Sequence, residues 1–276
     1  MEFSTLTKRI AQGLGVETPL PAADKPVRAE VAGRTPSALP APDALPALTA
    51  GPGDGEGTPK AAVAYNASVL SKIPFDLDAC EVVSTRAALE GWVSRAYETG
   101  RVALVVEPAL RDAMRADLTG IGLAVAPGKT AYIPLAHRVG ASDLFGGGGL
   151  QAGQLSVQEA LDVLRPLFED ESVLKIGHDI KFAAIVMSRY GVRLAGQDDT
   201  MLLSYALDAG RGGQTLEDLS ERHLKHVPIA YNAVLAHAHG EKKADKSFDG
   251  LPIAKAAQFA GEAADSRHVL FHRRDL

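Results

Sequence analysis

Two short apolar runs constrain this chain more than any other feature. Residues 101–107 read RVALVVE and residues 173–178 read VLKIGH, each nearly continuous in apolar side chains. A half-buried strand alternates apolar and polar residues, whereas an unbroken run belongs to a strand covered on both faces. Such strands need helices on either side of the sheet, and the neighbouring sequence supplies them. From about Arg86 to Glu98, the residues Leu89, Trp92, Val93 and Ala96 recur at helical spacing. Ser156 and Glu159 form a capping box ahead of Val157, Ala160, Leu161, Leu164 and Leu167. Another helix is expected from about Ile180 to Tyr190, and the chain after Asp199 reads as largely helical. CEVVS (80–84), TGIGLAVAPG (119–128) and TAYIPLAHR (130–138) bring the expected strands to five, the last two joined at a Pro-Gly turn. The pattern predicts an α/β domain from residue 72 to 276, a mixed sheet flanked by helices.

The sequence before this domain has a different character. Residues 1–16 place Phe3, Leu6, Ile10 and Leu14 at three- and four-residue spacing, the mark of a short amphipathic helix. Residues 17–71 open with a Pro-, Ala- and Gly-rich stretch that holds nine of the sixteen prolines between Thr18 and Pro59. Such a segment buries too little surface to offset its ordering entropy, so a flexible linker is expected there. The single cysteine, Cys80, excludes a disulfide framework and a Cys-rich zinc site, and a reducing, cytoplasmic setting is the default expectation. No apolar run approaches the roughly 20 residues that span a bilayer. The net charge of −5 leaves no overall electrostatic footprint for nucleic acid, although a local patch remains open.

A sheet of this kind invites a search for carboxylates that hold metal ions, since two-metal phosphodiester cleavage needs several of them converging on two cations. Glu107 ends a buried strand. Asp179 follows the strand of VLKIGH, Asp198 and Asp199 precede the helical run at Thr200, and Glu262 and Asp265 lie on the last helix. Taken alone, each is better explained as a helix cap or a solvated surface acid, and Asp199 is most simply an N-cap.

The stretches LKIGHDIKFAAIVMSRYGVRL, DDTMLLSYALDAGRGGQTLEDLSERHLKH and AAQFAGEAAD resemble the 3′–5′ exonuclease (proofreading) domain of bacterial family-A DNA polymerase I. GIGLAVAPGKTAYIPLAHR resembles that family's hairpin, DLFGGGGL a glycine-rich loop found in some members, and EFSTLTKRI the segment closing the 5′-nuclease module. The resemblance implies the ribonuclease-H-like 3′–5′ exonuclease fold and the middle portion of a polymerase acting in DNA replication and repair. It also implies three motifs: Asp-x-Glu on the first strand, Asn with an aromatic residue and Asp on a helix, and Tyr-x-x-x-Asp on the last helix. Their carboxylates bind two Mg²⁺ or Mn²⁺ ions. At the matching positions this chain has Val105 and Glu107, then Asp179, Phe182 and Ala183, then Phe259 and Ala263. Only Glu107 keeps a metal carboxylate.

Nearby acids are poor substitutes. A helix turns about 100° per residue, so Asp265 points about 200° away from Ala263 and Glu262 about 100° away. Glu107 with Asp179 could hold one Mg²⁺ weakly, which is not a two-ion clamp. The expectation is therefore a domain that has lost catalysis and takes no cofactor, with Mg²⁺ or Mn²⁺ relevant only to residual activity. The alternatives are an active exonuclease using Glu107, Asp179 and a repositioned Glu262 or Asp265, and a free-standing binding module. The implied partners are single-stranded or primer-template DNA and the polymerase and 5′-nuclease modules of a parent protein, with no membrane. The strand contacts implied by the resemblance are His178, Asp179, Lys181, Phe182, Arg211 and Arg222, with Lys225 nearby. The glycine run at 145–150 reads as a flexible loop, HGEKKADK (239–246) as a solvated charge run, and His223, His226, His237 and His239 as surface histidines.

Overall fold

A computed structural model describes residues 75–139, 149–208, 212–239 and 247–272. In it the two apolar runs become central strands of a six-stranded sheet. The strands are β1 (Glu81–Val82), β2 (Arg101–Pro108), β3 (Leu118–Ala126), β4 (Lys129–Pro134), β5 (Leu174–Gly177) and β6 (Gln197–Asp199). Their order is β1-β4-β3-β2-β5-β6. β2, β3 and β4 form an antiparallel meander, while β5 runs parallel to β2 and β6 parallel to β5. Five strands match the expectation. The sixth, QDD, has no apolar alternation and exists because Gln197, Asp198 and Asp199 pair in register with Lys175, Ile176 and Gly177.

Helices cover both faces: α1 (Arg86–Thr99), α2 (Val157–Glu169), α3 (Ile180–Arg189), α4 (Thr200–Asp208), α5 (Leu216–Leu219), α6 (Tyr231–His239) and α7 (Ile253–His272). Their ends follow local chemistry. Thr85 caps α1 by accepting from the Ala88 N–H, and Gly100 ends it in the left-handed region at φ 66°. The Ser156–Glu159 capping box opens α2 as expected. α5 runs directly into a π turn at Ser220–Leu224.

Alternation along β2 sorts the core. Leu104 and Val106 join Leu89, Trp92, Leu164 and Phe168 on the α1–α2 face. Ala103 and Val105 join Tyr132, Phe259 and Ala260 beneath α7. Helix α7 lies very close to the sheet: a Cβ on Gly122 would sit 2.9 Å from the Ala260 carbonyl oxygen and 3.2 Å from the Val105 Cβ. Glycine is therefore required there by space, and it sets the height of α7 above β3. The parallel strands β2, β5 and β6 end at one edge with Glu107–Pro108, Gly177 and Asp199, the edge at which open α/β sheets bind ligands.

The expected helix at 1–16, the linker at 17–71 and Arg211 lie outside the described residues, as do most of the glycine run and most of HGEKKADK. Among the described residues, no helix is long and apolar enough to cross a membrane.

Candidate functional site

At this edge two adjoining cavities open, of about 450 Å³ and about 260 Å³. Arg111, His178, Asp179 and Arg267 line both. The larger also meets Glu107, Gln214, Tyr231, Phe259, Glu262 and Ala263, and the smaller meets Phe182 and Ala183. Most motif residues inferred from the sequence thus come together. Val105 does not reach the space, being buried under α7.

Glu107 continues the α7-facing side of β2 and is 1% exposed. One of its oxygens, Oε2, has no hydrogen-bond partner, and Arg111 Nη2 stands 3.5 Å from the other. Burial raises the carboxyl pKa, against the fields of Arg111 and Arg267. The Arg111 guanidinium lies 4.1 Å above the Tyr231 ring and 5.7 Å from Phe182. Phe259 packs edge-on to Tyr231 at 5.9 Å.

Asp179 is exposed and sits at the N-cap of α3 with φ 52°, yet makes no side-chain capping bond. Aspartate and asparagine are the side chains that tolerate this left-handed conformation best. The cap comes instead from Asp199, whose carboxylate accepts from the Asp179 N–H at 3.2 Å and the Ile180 N–H at 2.9 Å. The same carboxylate accepts from the Met201 N–H at 2.9 Å, which is the N-cap expected for the following helix. One buried acid therefore anchors two helix N-termini. His178 Nδ1 lies 2.9 Å from Thr200 Oγ1. Burial, reinforced by Arg267, lowers the His178 pKa to about 4, so the ring is neutral at neutral pH.

Neither acid considered as a substitute ligand on α7 is free. Glu262 lines the larger cavity, but its oxygens are held by His226 Nε2 at 2.8 Å and the Ile229 N–H at 2.6 Å. Asp265 turns away, as helix geometry requires, and accepts from the Gly128 N–H at 3.0 Å in the β3–β4 turn. His226 is not a free surface histidine: it is half-buried, paired with Glu262 and stacked on Phe75 at 4.0 Å. His223 is also half-buried, and the side chains of His237 and His239 lie outside the described residues.

Among the described cations, Lys181, Arg222 and Lys225 line neither cavity. Arg222 donates to the Gly213 carbonyl at 3.0 Å, and Lys225 donates to the Arg222 carbonyl at 3.1 Å. The cations that do face the space are Arg111 and Arg267, which sequence reasoning missed. A signal existed for Arg267: it follows Ala263 by four residues on a helix and so lies about 40° from it, on the same face. Its Nη1 donates to the Leu104 carbonyl at 3.2 Å, while its buried Nε has no partner. Burial lowers its pKa to about 10, which still leaves it charged at neutral pH. No comparable signal marked Arg111, which leaves β2 on an irregular loop. Among the described residues, no group of three His, Cys, Asp or Glu side chains is placed to hold a metal ion.

Comparison with known proteins agrees with this architecture. DNA polymerase I of Rhizobium leguminosarum is 35% identical over 294 residues, covering 96% of this chain and 28% of the relative. DNA polymerase I of Pseudomonas aeruginosa is 30% identical over 189 residues, covering 67% of this chain and 19% of the relative. The chain thus spans well under two thirds of either protein. RNase D from Trypanosoma brucei, solved in complex with RNA U12, superposes with a TM-score of 0.53 at 13% identity, over 75% of this chain and 64% of that one. That likeness concerns the fold, which is the ribonuclease-H-like one. The 3′-5′ exonuclease family matches residues 80–268, from the first strand to the far end of the helix that carries Arg267, and this chain belongs to it.

Proposed function

We propose that this chain is the exonuclease-like portion of a cytoplasmic DNA polymerase I-type protein in which nucleotide removal has been lost. On this reading the domain spaces and braces neighbouring 5′-nuclease and polymerase modules and touches single-stranded or primer-template DNA without cutting it. The observation that carries the proposal is the composition of the cleft. Ala183 and Ala263 face it where the family's motifs place aspartates, Phe259 stands in the tyrosine position, and Val105 is buried below it. Of the acids that remain, Glu107 lies beside Arg111 and Glu262 is held by His226 and the Ile229 N–H, which leaves Asp179 as the exposed carboxylate of the cleft. Mg²⁺ takes octahedral oxygen ligands, and cleavage by a pair of ions needs several carboxylates shared between them. These residues do not fit such a pair.

The test is release of nucleotides from a 3′-labelled single strand in Mg²⁺ or Mn²⁺. No release above a metal-free control is expected, and metal-dependent 3′–5′ shortening would overturn the proposal. The competing reading, an active enzyme with rearranged acids, draws on the presence of Glu107, Asp179 and Glu262 around one cavity. It requires two Mn²⁺ ions bound per chain in a calorimetric titration, whereas the proposal requires none or one weakly held.

A further inference from the structure

We propose that Arg267 is a resident cation standing in for divalent ions in this cleft, so that restoring the family carboxylates does not restore metal binding while the guanidinium remains. This inference rests on the reading above and adds a cause to it. Arg267 lies one helical turn beyond Ala263 and lines both the cavity that meets Ala263 and the cavity that meets Ala183. A hydrogen bond from Nη1 to the Leu104 carbonyl ties the head group to β2 rather than leaving it in solvent.

The electrostatics point the same way. Glu107 is buried with an unpartnered oxygen, and Arg111 and Arg267 are the cations whose fields favour its charged form. A divalent ion would supply that counter-charge in a working site. Here the Arg111 and Arg267 guanidinium groups supply it, and a guanidinium has only donors, cannot ligate a metal and repels one. The site thus differs by more than missing ligands, because this region carries a positive charge of its own.

The experiment titrates MnCl₂ alone by calorimetry into the chain carrying Val105→Asp, Ala183→Asp and Ala263→Asp, with and without Arg267→Met. The arginine-bearing variant is expected to bind at most one ion weakly. Adding Arg267→Met is expected to give two ions and at least tenfold tighter binding. Arg267→Lys in the same background keeps the charge and is expected to behave like the arginine. Equal binding with and without Arg267→Met, whether tight or absent, overturns the inference, as does a lysine variant that binds like the methionine one. Far-UV circular dichroism checks folding. Should the triple variants fail to fold, Ala263→Asp alone, with and without Arg267→Met and read by Mn²⁺ EPR, makes the same comparison. A wild-type chain that binds a manganese pair defeats the earlier proposal as well, whereas equal binding by the restored variants defeats only this one.

Discussion

Two buried acids at one edge of the sheet have opposite surroundings. Asp199, at the end of β6, receives three backbone N–H groups and holds the start of two helices. Glu107, near the end of β2, is at least as buried but keeps an unpartnered oxygen and a single long contact to Arg111. Burial costs a charge several kcal/mol unless hydrogen bonds or counter-charges return it. Asp199 has that return within the fold. Glu107 receives it only in part, from two arginines at the cleft, which marks it as a group whose place was set by something other than stability.

This contrast can be broken most directly by truncation. Asp199→Ala should cost about 3–5 kcal/mol in urea denaturation, because it removes two helix caps and strands buried N–H donors. Glu107→Gln, which keeps the volume and removes the buried charge, should cost about 1 kcal/mol or less. Equal losses would show that both acids are structural. A second variant separates the two ends of the edge. Gly122→Ala should cost about 1–3 kcal/mol by lifting α7 from β3, since the obstacle is the Ala260 backbone and not a flexible tip. Its NMR shift changes should concentrate at Glu107 and Arg267 and spare Asp199; an even spread would erase the distinction.

The smallest expected effect is a change of slope with pH. Burial lowers the pKa of His137 and of His178 to about 4, and that of His268 to about 3. Each binds fewer protons folded than unfolded, so the stability they confer is complete above about pH 6.5 and is lost on acidification toward 4. Asp265 has the opposite sign: burial raises it to about 6 from 3.8, so the folded state gains stability as pH falls through that window. The three histidines outweigh it. The melting temperature should therefore fall between pH 6.5 and 4, and Asp265→Asn should steepen the fall. A flat profile would show that these groups are not desolvated.

Much of the fold was readable before any coordinates. RVALVVE and VLKIGH lack alternation because both faces are covered, and the capping box at Ser156 is a local hydrogen-bond pattern that survives in any context. The hairpin turn at Pro127–Gly128 forms with Gly128 at φ 68°. β6 was not readable, because QDD has no hydrophobic period and becomes a strand only through its neighbour. The site was legible in part: helix geometry correctly turned Asp265 away, but gave no hint that His226 would lock Glu262.

The order of apolar and polar residues along the chain was enough to decide the layers and the central strands, since these depend on spacing over a few residues. Folding alone decided that Asp199 serves two helices, that Glu262 is already paired, and that two arginines enter the cleft. Those outcomes depend mainly on groups 19 to 163 positions apart, and charge at such separations acts only once the chain has brought them together.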